Sequence, residues 1–172
     1  MHPTASLLRD IPDFPEPGIV FKDITPVLDD ASAFAKIVVD LAAPYQDADI
    51  THVVGIESRG FIVGAPVALE LGAGFVPVRK PGKLPAETVS VSYELEYGSD
   101  TIEMHADALE AGDRVLIVDD VIATGGTAAA TLELVRGRGA EVVGMAAYVE
   151  LGFLDGRSRL GDLPITTLVV LD

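Results

Sequence analysis

The chain has no cysteine among its 172 residues. That excludes a disulfide framework and any thiolate metal site. Long apolar runs are missing as well, and none approaches the roughly 20 residues that a membrane span needs. The opening stretch, Met1 to Asp10, lacks the basic-then-apolar plan of a signal peptide. These absences leave a cytoplasmic location as the expectation. Positive charge is scarce, with 12 Lys and Arg against 27 Asp and Glu and a net charge of −15. A nucleic-acid-binding surface needs the opposite excess, so neither a nucleic-acid nor a membrane partner is expected. Two phosphate-binding signatures are also absent, Gly-x-x-x-x-Gly-Lys-Ser/Thr and a strand followed by Gly-x-Gly-x-x-Gly. P-loop and dinucleotide readings therefore lose their main support.

What is present suits a folded protein: 49% of the residues are hydrophobic. The length fits one domain over 1–172 with a sizeable core. Residues 10–18 are rich in proline and acids, which predicts an extended arm and not a helix. Asp29 or Asp30 can cap a helix running to about Ala43, with Phe34, Ile37, Val38 and Leu41 on one face. Ile50 to Ile56 reads as a strand, Arg59 or Gly60 to Leu71 as a helix, and Phe75 to Val78 as a short strand. Residues 79–86 form a loop. Thr88 to Glu96 and Thr101 to Ala106 alternate, with a tight turn expected at Tyr97-Gly98-Ser99-Asp100. Val115 to Asp119 is a strand, Gly126 to Arg138 a helix, and Ala140 to Glu150 and Thr166 to Leu171 two more strands. Strands alternating with helices imply an α/β fold with a mainly parallel sheet and right-handed crossovers.

The most informative run is Val115-Leu-Ile-Val-Asp-Asp-Val-Ile-Ala-Thr-Gly-Gly-Thr127. Val115 to Val118 suit a strand buried on both faces. Asp119 and Asp120 follow at its carboxyl end, where open α/β sheets bind ligands. Ala123, Thr124, Gly125, Gly126 and Thr127 form a small Gly-rich turn that opens a helix, so backbone N–H groups can approach a phosphate closely. An anion cradle beside two carboxylates suits a sugar phosphate. The plain alternative is a solvated strand end and an ordinary turn. A second strand-to-helix junction, Gly55-Ile-Glu-Ser-Arg-Gly60, offers another anion site with Arg59 beside it. Its plain alternative is a routine turn with Ser58 as the helix cap. Two such junctions suit a ligand with phosphates at two separated points. His2, His52 and His105 show no convincing cluster.

The 115–127 run resembles the ligand-binding motif of the type I phosphoribosyltransferases. The arm Phe14-Pro-Glu-Pro-Gly-Ile-Val-Phe-Lys-Asp-Ile-Thr-Pro26 narrows this and resembles the adenine phosphoribosyltransferases. So do Arg79-Lys-Pro-Gly-Lys-Leu-Pro85, Tyr93-Glu-Leu-Glu-Tyr-Gly98 and Glu150-Leu-Gly-Phe-Leu-Asp-Gly156. The resemblance runs from about Ile11 to Leu168. It implies the type I phosphoribosyltransferase fold, with a hood made by the N-terminal arm (1–28) and by the loop and hairpin of 79–106. It implies transfer of the 5-phosphoribosyl group from 5-phosphoribosyl 1-diphosphate to adenine, giving AMP and diphosphate with Mg2+, in a homodimer.

The roles implied by the resemblance are specific. Asp119 and Asp120 would hold the ribose hydroxyls, and Ala123 to Thr127 the 5′-phosphate. Glu57, Ser58, Arg59, Arg79, Lys80 and Lys83 would hold the diphosphate, with a cis peptide at Glu57–Ser58. Val20, Phe21 and Lys22 would bind adenine, the backbone reading its N6 and N1 edge and Phe21 stacking. Lys22 stands where many members have Arg, and Lys lacks the planar bidentate contact. Glu96 would manage the N7 proton, and with Arg59 is the expected catalytic pair. From the residues alone, Phe21 reads equally as core packing, and Glu96 as a solvated face before a turn. A regulator binding the same ligand without turnover is the reading from another class; those that bind DNA usually carry a winged helix and a basic surface. An enzyme for another purine is a third reading, and the arm speaks against it.

Overall fold

Val115, Leu116, Ile117 and Val118 are all fully buried, as expected for a strand covered on both faces. The computed structural model of the chain describes residues 2–94 and 98–172. After a short 3-10 turn (Pro3–Leu7) come β1 (Arg9–Pro12), β2 (Val20–Asp23), α1 (Thr25–Asp29), α2 (Ala31–Ala42), β3 (His52–Ile56), α3 (Arg59–Leu71) and β4 (Gly74–Val78). The second half holds β5 (Thr88–Glu94), β6 (Ser99–His105), β7 (Arg114–Ile122), α4 (Gly126–Gly137), β8 (Glu141–Leu151) and β9 (Ile165–Leu171). Two 3-10 turns, Gly152–Leu154 and Gly156–Leu160, link the last two strands.

Five strands form one parallel sheet in the order β4-β3-β7-β8-β9. Alternation along β7 sends Val115 and Ile117 to one face and Leu116 and Val118 to the other. The first face packs Leu132, Leu134 and Val135 of α4 together with Ile102 and Met104 of the hairpin. The second packs Val38 and Leu41 of α2 and Val63 and Val67 of α3. Each such side chain contributes about 1.5–3 kcal/mol of burial. Asp30 caps α2: its Oδ1 accepts from the backbone N–H groups of Ser32 and Ala33 at 2.9 and 3.0 Å.

The arm over 10–18 contains no helix, and it is tied back on itself. β1 and β2 pair antiparallel, Asp10 opposite Lys22 and Pro12 opposite Val20. The structure differs from the sequence expectation in three places. The five-residue helix α1 starts inside the segment expected to be arm, with Pro26 in its first turn, where a missing N–H costs nothing. β7 continues to Ile122, so Asp119 and Asp120 lie within its last turns of pleat and not beyond them. Ser99 and Asp100 are strand residues, opposite Glu94 and Tyr93, instead of the corner of a turn. Glu96 and Tyr97, expected at the hairpin tip, lie outside the described residues.

Candidate active site

A cavity of about 390 Å3 opens at the carboxyl ends of β3 and β7. Ile19 to Lys22 of the arm form one wall, Ile56 to Arg59 a second, and Asp119 to Val121 with Ala123 and Thr127 a third. Leu151, at the end of β8, completes the lining. A smaller hollow of about 90 Å3 adjoins it, lined by Asp119 and Val121 to Ala128. Its walls are the turn between β7 and α4, where backbone N–H groups at a helix start favour an anion. Gly125 takes φ +77°, a left-handed conformation that most side chains resist. It also lies under Gly156, whose carbonyl a Cβ at position 125 would strike.

The two acids are held differently. Asp120 is buried, and its Oδ2 accepts from Arg59 Nε at 2.5 Å. Asp119 is half-buried, and its carboxyl sits beside the Asp120 charge. Desolvation first, and then that neighbouring carboxylate, push the Asp119 carboxyl well above the usual carboxylate range. Its Oδ1 accepts the Asp120 backbone N–H at 2.8 Å. The first turn of α3 comes close enough that a Cβ at Gly60 would lie 2.7 Å from that same oxygen. Glycine at this position is what lets the 57–59 loop approach the acids.

The Glu57–Ser58 peptide is cis. Glu57 Oε2 accepts from Arg79 Nε at 3.2 Å and from the Lys80 backbone N–H at 2.9 Å, which fastens the 79–86 loop to the cavity wall. Ser58 precedes α3 without a side-chain capping bond. On the opposite wall, the Arg59 guanidinium lies 5.0 Å from the Phe21 ring centroid. Phe14 meets Phe21 edge-on, with centroids 5.2 Å apart. The Lys22 ammonium pairs with Asp10 at 2.7 Å, inside the arm's own ribbon.

The structure therefore brings Val20, Phe21, Lys22, Glu57, Ser58, Arg59, Asp119, Asp120, Ala123 and Thr127 to one cavity. Thr124, Gly125 and Gly126 line the adjoining hollow. Among the described residues, three expected ones stand outside both. The Arg79 side chain turns to Glu57, Lys80 Nζ turns to Asp100 at 2.7 Å, and Lys83 is exposed on the loop. Sequence reading assigns no site role to Ile19, Val121, Leu151, Tyr93 or Gly156, although all five lie in the segments that carry the resemblance. Leu151 and Val121 could have been found from strand order, because neighbouring parallel strands end at the same level. Tyr93 donates to or accepts from Thr127 Oγ1 at 2.9 Å, a contact that depends on how the hairpin packs on α4. Among the described residues no three acidic or histidine side chains converge as a cage for a metal ion, and no helix is long and apolar enough to cross a membrane.

Residues 25–163 match the phosphoribosyl transferase domain family. A relative from a Nocardioides species, named adenine phosphoribosyltransferase, is 59% identical over 96% of this chain and 92% of its own. The chain belongs to the adenine phosphoribosyltransferases. The crystal structure of adenine phosphoribosyltransferase from Rhodothermus marinus superposes with a TM-score of 0.93 at 59% identity, covering 96% of this chain and 95% of that one. The Saccharomyces cerevisiae enzyme, solved with D-2,5-dideoxy-2,5-imino-altritol 1,6-bisphosphate and adenine, gives 0.90 at 46% identity, over 95% and 94% of the two chains.

Proposed function

We propose that this cavity is where the chain transfers the 5-phosphoribosyl group from 5-phosphoribosyl 1-diphosphate to adenine, giving AMP and diphosphate. The observation that carries the assignment of roles is the convergence of three walls: the arm backbone at Val20 to Lys22, the anion loop at 57–59, and Asp119 and Asp120 beside the Gly-rich turn. A base, a diphosphate and a ribose 5-phosphate each find matching chemistry on one of them. The whole chain acts as one phosphoribosyltransferase domain.

Adenine offers N6–H donors beside an N1 acceptor. A backbone C=O and N–H in the arm match that edge and mismatch a 6-oxopurine. Phe21 stacks on the base, and Lys22 contributes through its backbone, because its ammonium is engaged by Asp10. Asp119 and Asp120 hold the ribose hydroxyls and place negative charge near C1′ as positive charge develops there. Ala123 to Thr127 hold the 5′-phosphate. Glu57, Ser58 and Arg59 hold the diphosphate, with Arg79, Lys80 and Lys83 supplied by the neighbouring loop. Adenine N9 bonds to C1′ as the C1′–O bond to diphosphate breaks, with inversion, and Glu96 manages the N7 proton. A Mg2+ ion held by substrate and water oxygens suits the donor set, in which Asp120 is committed to Arg59. When bound, it supplies positive charge to the diphosphate oxygens. The protein works as a cytoplasmic homodimer, with Arg79 or a neighbour directed toward the partner's site.

The test is AMP formation from adenine and 5-phosphoribosyl 1-diphosphate, with and without Mg2+. Hypoxanthine and guanine are expected to be at least about a hundredfold poorer, because unpaired buried polar groups discriminate strongly. Comparable turnover of hypoxanthine would overturn the adenine assignment. Glu96→Gln should cut turnover while leaving 5-phosphoribosyl 1-diphosphate affinity unchanged. Full turnover in that variant would remove Glu96 from proton handling.

A further inference from the structure

Lys80 belongs to the loop proposed to meet diphosphate, yet its ammonium points elsewhere. Lys80 Nζ donates to Asp100 Oδ2 at 2.7 Å. Asp100 is in β6, directly opposite Tyr93 of β5. The hairpin at this level is fastened to the Gly-rich turn. Tyr93 bonds Thr127 through the two hydroxyls, and its ring would touch a Cβ at Gly126 at 3.4 Å. Asp100 Oδ1 is fixed by the Thr101 backbone N–H at 2.9 Å, and its Oδ2 also accepts from the Tyr93 hydroxyl at 3.4 Å.

The Lys80 backbone is equally fixed, because its N–H donates to Glu57 on the cavity wall and the preceding Arg79 pairs with Glu103 backbone to backbone at 2.9 and 2.7 Å. Only the Lys80 side chain is free to choose. It can lie on Asp100, or turn toward an anion at the 57–59 loop that its own backbone touches.

We propose that Asp100 is a positioning residue, an ionic latch that holds the Lys80 ammonium away from the diphosphate subsite and must be displaced when diphosphate binds. This rests on the reading of Lys80 as a diphosphate ligand. Because Lys80 is more than half exposed and Asp100 about a quarter, the latch is screened by solvent and yields to a ligand that carries several negative charges. The pairing also holds the Asp100 carboxyl below and the Lys80 ammonium above their usual ranges, so both stay charged at neutral pH. On product release the same carboxylate takes the ammonium back, which lets diphosphate leave.

The latch predicts an effect confined to ligands that carry diphosphate. In the full-length protein with Mg2+, Asp100→Asn should bind inorganic diphosphate about two- to fivefold more tightly, the range of an exposed ion pair. The gain should shrink at high salt. AMP, which carries no diphosphate, should bind unchanged. In a Lys80→Ala background, Asp100→Asn should have no effect on diphosphate. Calorimetric titration of the four proteins gives this cycle, and thermal melts confirm that each is folded. Weaker binding of both diphosphate and AMP in Asp100→Asn, in either background, would make Asp100 a structural hairpin residue and overturn the latch. If Lys80→Ala weakens diphosphate while Asp100→Asn changes nothing, the latch fails and the Lys80 reading stands. If Lys80→Ala leaves diphosphate binding untouched, the Lys80 reading itself fails, and the latch with it.

Discussion

Arg59 and Asp120 are joined across the cavity, Nε to Oδ2 at 2.5 Å, and the same guanidinium lies over Phe21. One side chain thus links the 57–59 loop, Asp120 and the arm. Lysine could carry the charge but not the planar stacking and the directed N–H together. Arg59→Lys should therefore lower kcat/KM for AMP formation by on the order of a hundredfold, as expected when reacting groups lose their alignment. The melting temperature should move little, since the Arg59 side chain is 40% exposed. A Lys variant with normal kinetics would reduce the pair to a surface contact.

Asp119 is expected to oppose the stability of the free protein. Its carboxyl is pushed above the ordinary value of 3.8 by desolvation and by Asp120. An acid whose folded-state value is raised costs nothing below the unfolded value. The cost grows as pH rises through the gap and is complete above the folded value. Asp119→Asn should accordingly raise the melting temperature at pH 7 by about 2–4 °C, the shift expected for roughly 1 kcal/mol in a chain of this size. The gain should fade as pH falls toward 4, and turnover should collapse. A lower melting temperature at pH 7 with activity retained would give Asp119 a structural role.

The sheet was legible because its strands are written in branched apolar runs. Val115 to Val118 and Val53-Val54 leave no room for a polar face, and the Gly-rich turn after Val121-Ile122 announces itself by composition. A helix cap at Asp29 or Asp30 was legible for a similarly local reason, and the structure uses Asp30. Features that depend on register were not. Nothing in the sequence says that Tyr93 faces Asp100, or that Lys80 reaches it, until β5 and β6 are paired. The hairpin corner was misplaced onto Ser99 and Asp100 because small polar residues suit a turn equally well, and strand pairing decided otherwise. The short helix α1 escaped because Pro26 reads as a breaker when its place in the first turn is unknown. The contact of Gly156 on the Gly-rich turn joins segments far apart in sequence and had no local signal.

Glu150 and Arg157 fix the segment that carries Gly156. Glu150 is buried at the end of β8, accepts from Arg157 Nε at 2.9 Å and from the Thr167 hydroxyl at 2.9 Å. The Arg157 hydrogen bonds hold its carboxyl below the ordinary 4.5. A lowered acid contributes stability above its unfolded value and loses it as pH falls through the folded one. Arg157→Met should thus cost about 2 kcal/mol at pH 7, less than for a fully buried pair because Arg157 is 45% exposed. The deficit relative to the parent protein should narrow as pH falls through the lowered value of Glu150, where the carboxylate takes up a proton and no longer needs a partner. Denaturant midpoints at pH 7 and at stepwise lower pH measure both. A deficit that does not change with pH would mean that packing, and not the ion pair, holds this turn.

Gly156 gives the sharpest test of where the 5′-phosphate sits. A Cβ there would strike the Ala123 carbonyl and come within 2.8 Å of the Gly125 backbone nitrogen. The turn has little freedom to retreat, since Gly125 already occupies a left-handed conformation. Overpacking of this kind costs about 1–3 kcal/mol. Here it falls on the backbone N–H groups that would face the phosphate. Gly156→Ala should therefore weaken AMP and 5-phosphoribosyl 1-diphosphate by roughly tenfold or more, in line with that cost. Inorganic diphosphate, proposed to bind at the 57–59 loop, should be unaffected. Gly137→Ala supplies the control: it is the last residue of α4, at the end away from the Gly-rich turn, a Cβ there meets open space, and no ligand should change. Titrating the three ligands into both variants separates the outcomes. If Gly156→Ala bound AMP normally, the 123–127 turn would not be the phosphate cradle. If it lost all three ligands equally, the damage would be to the fold.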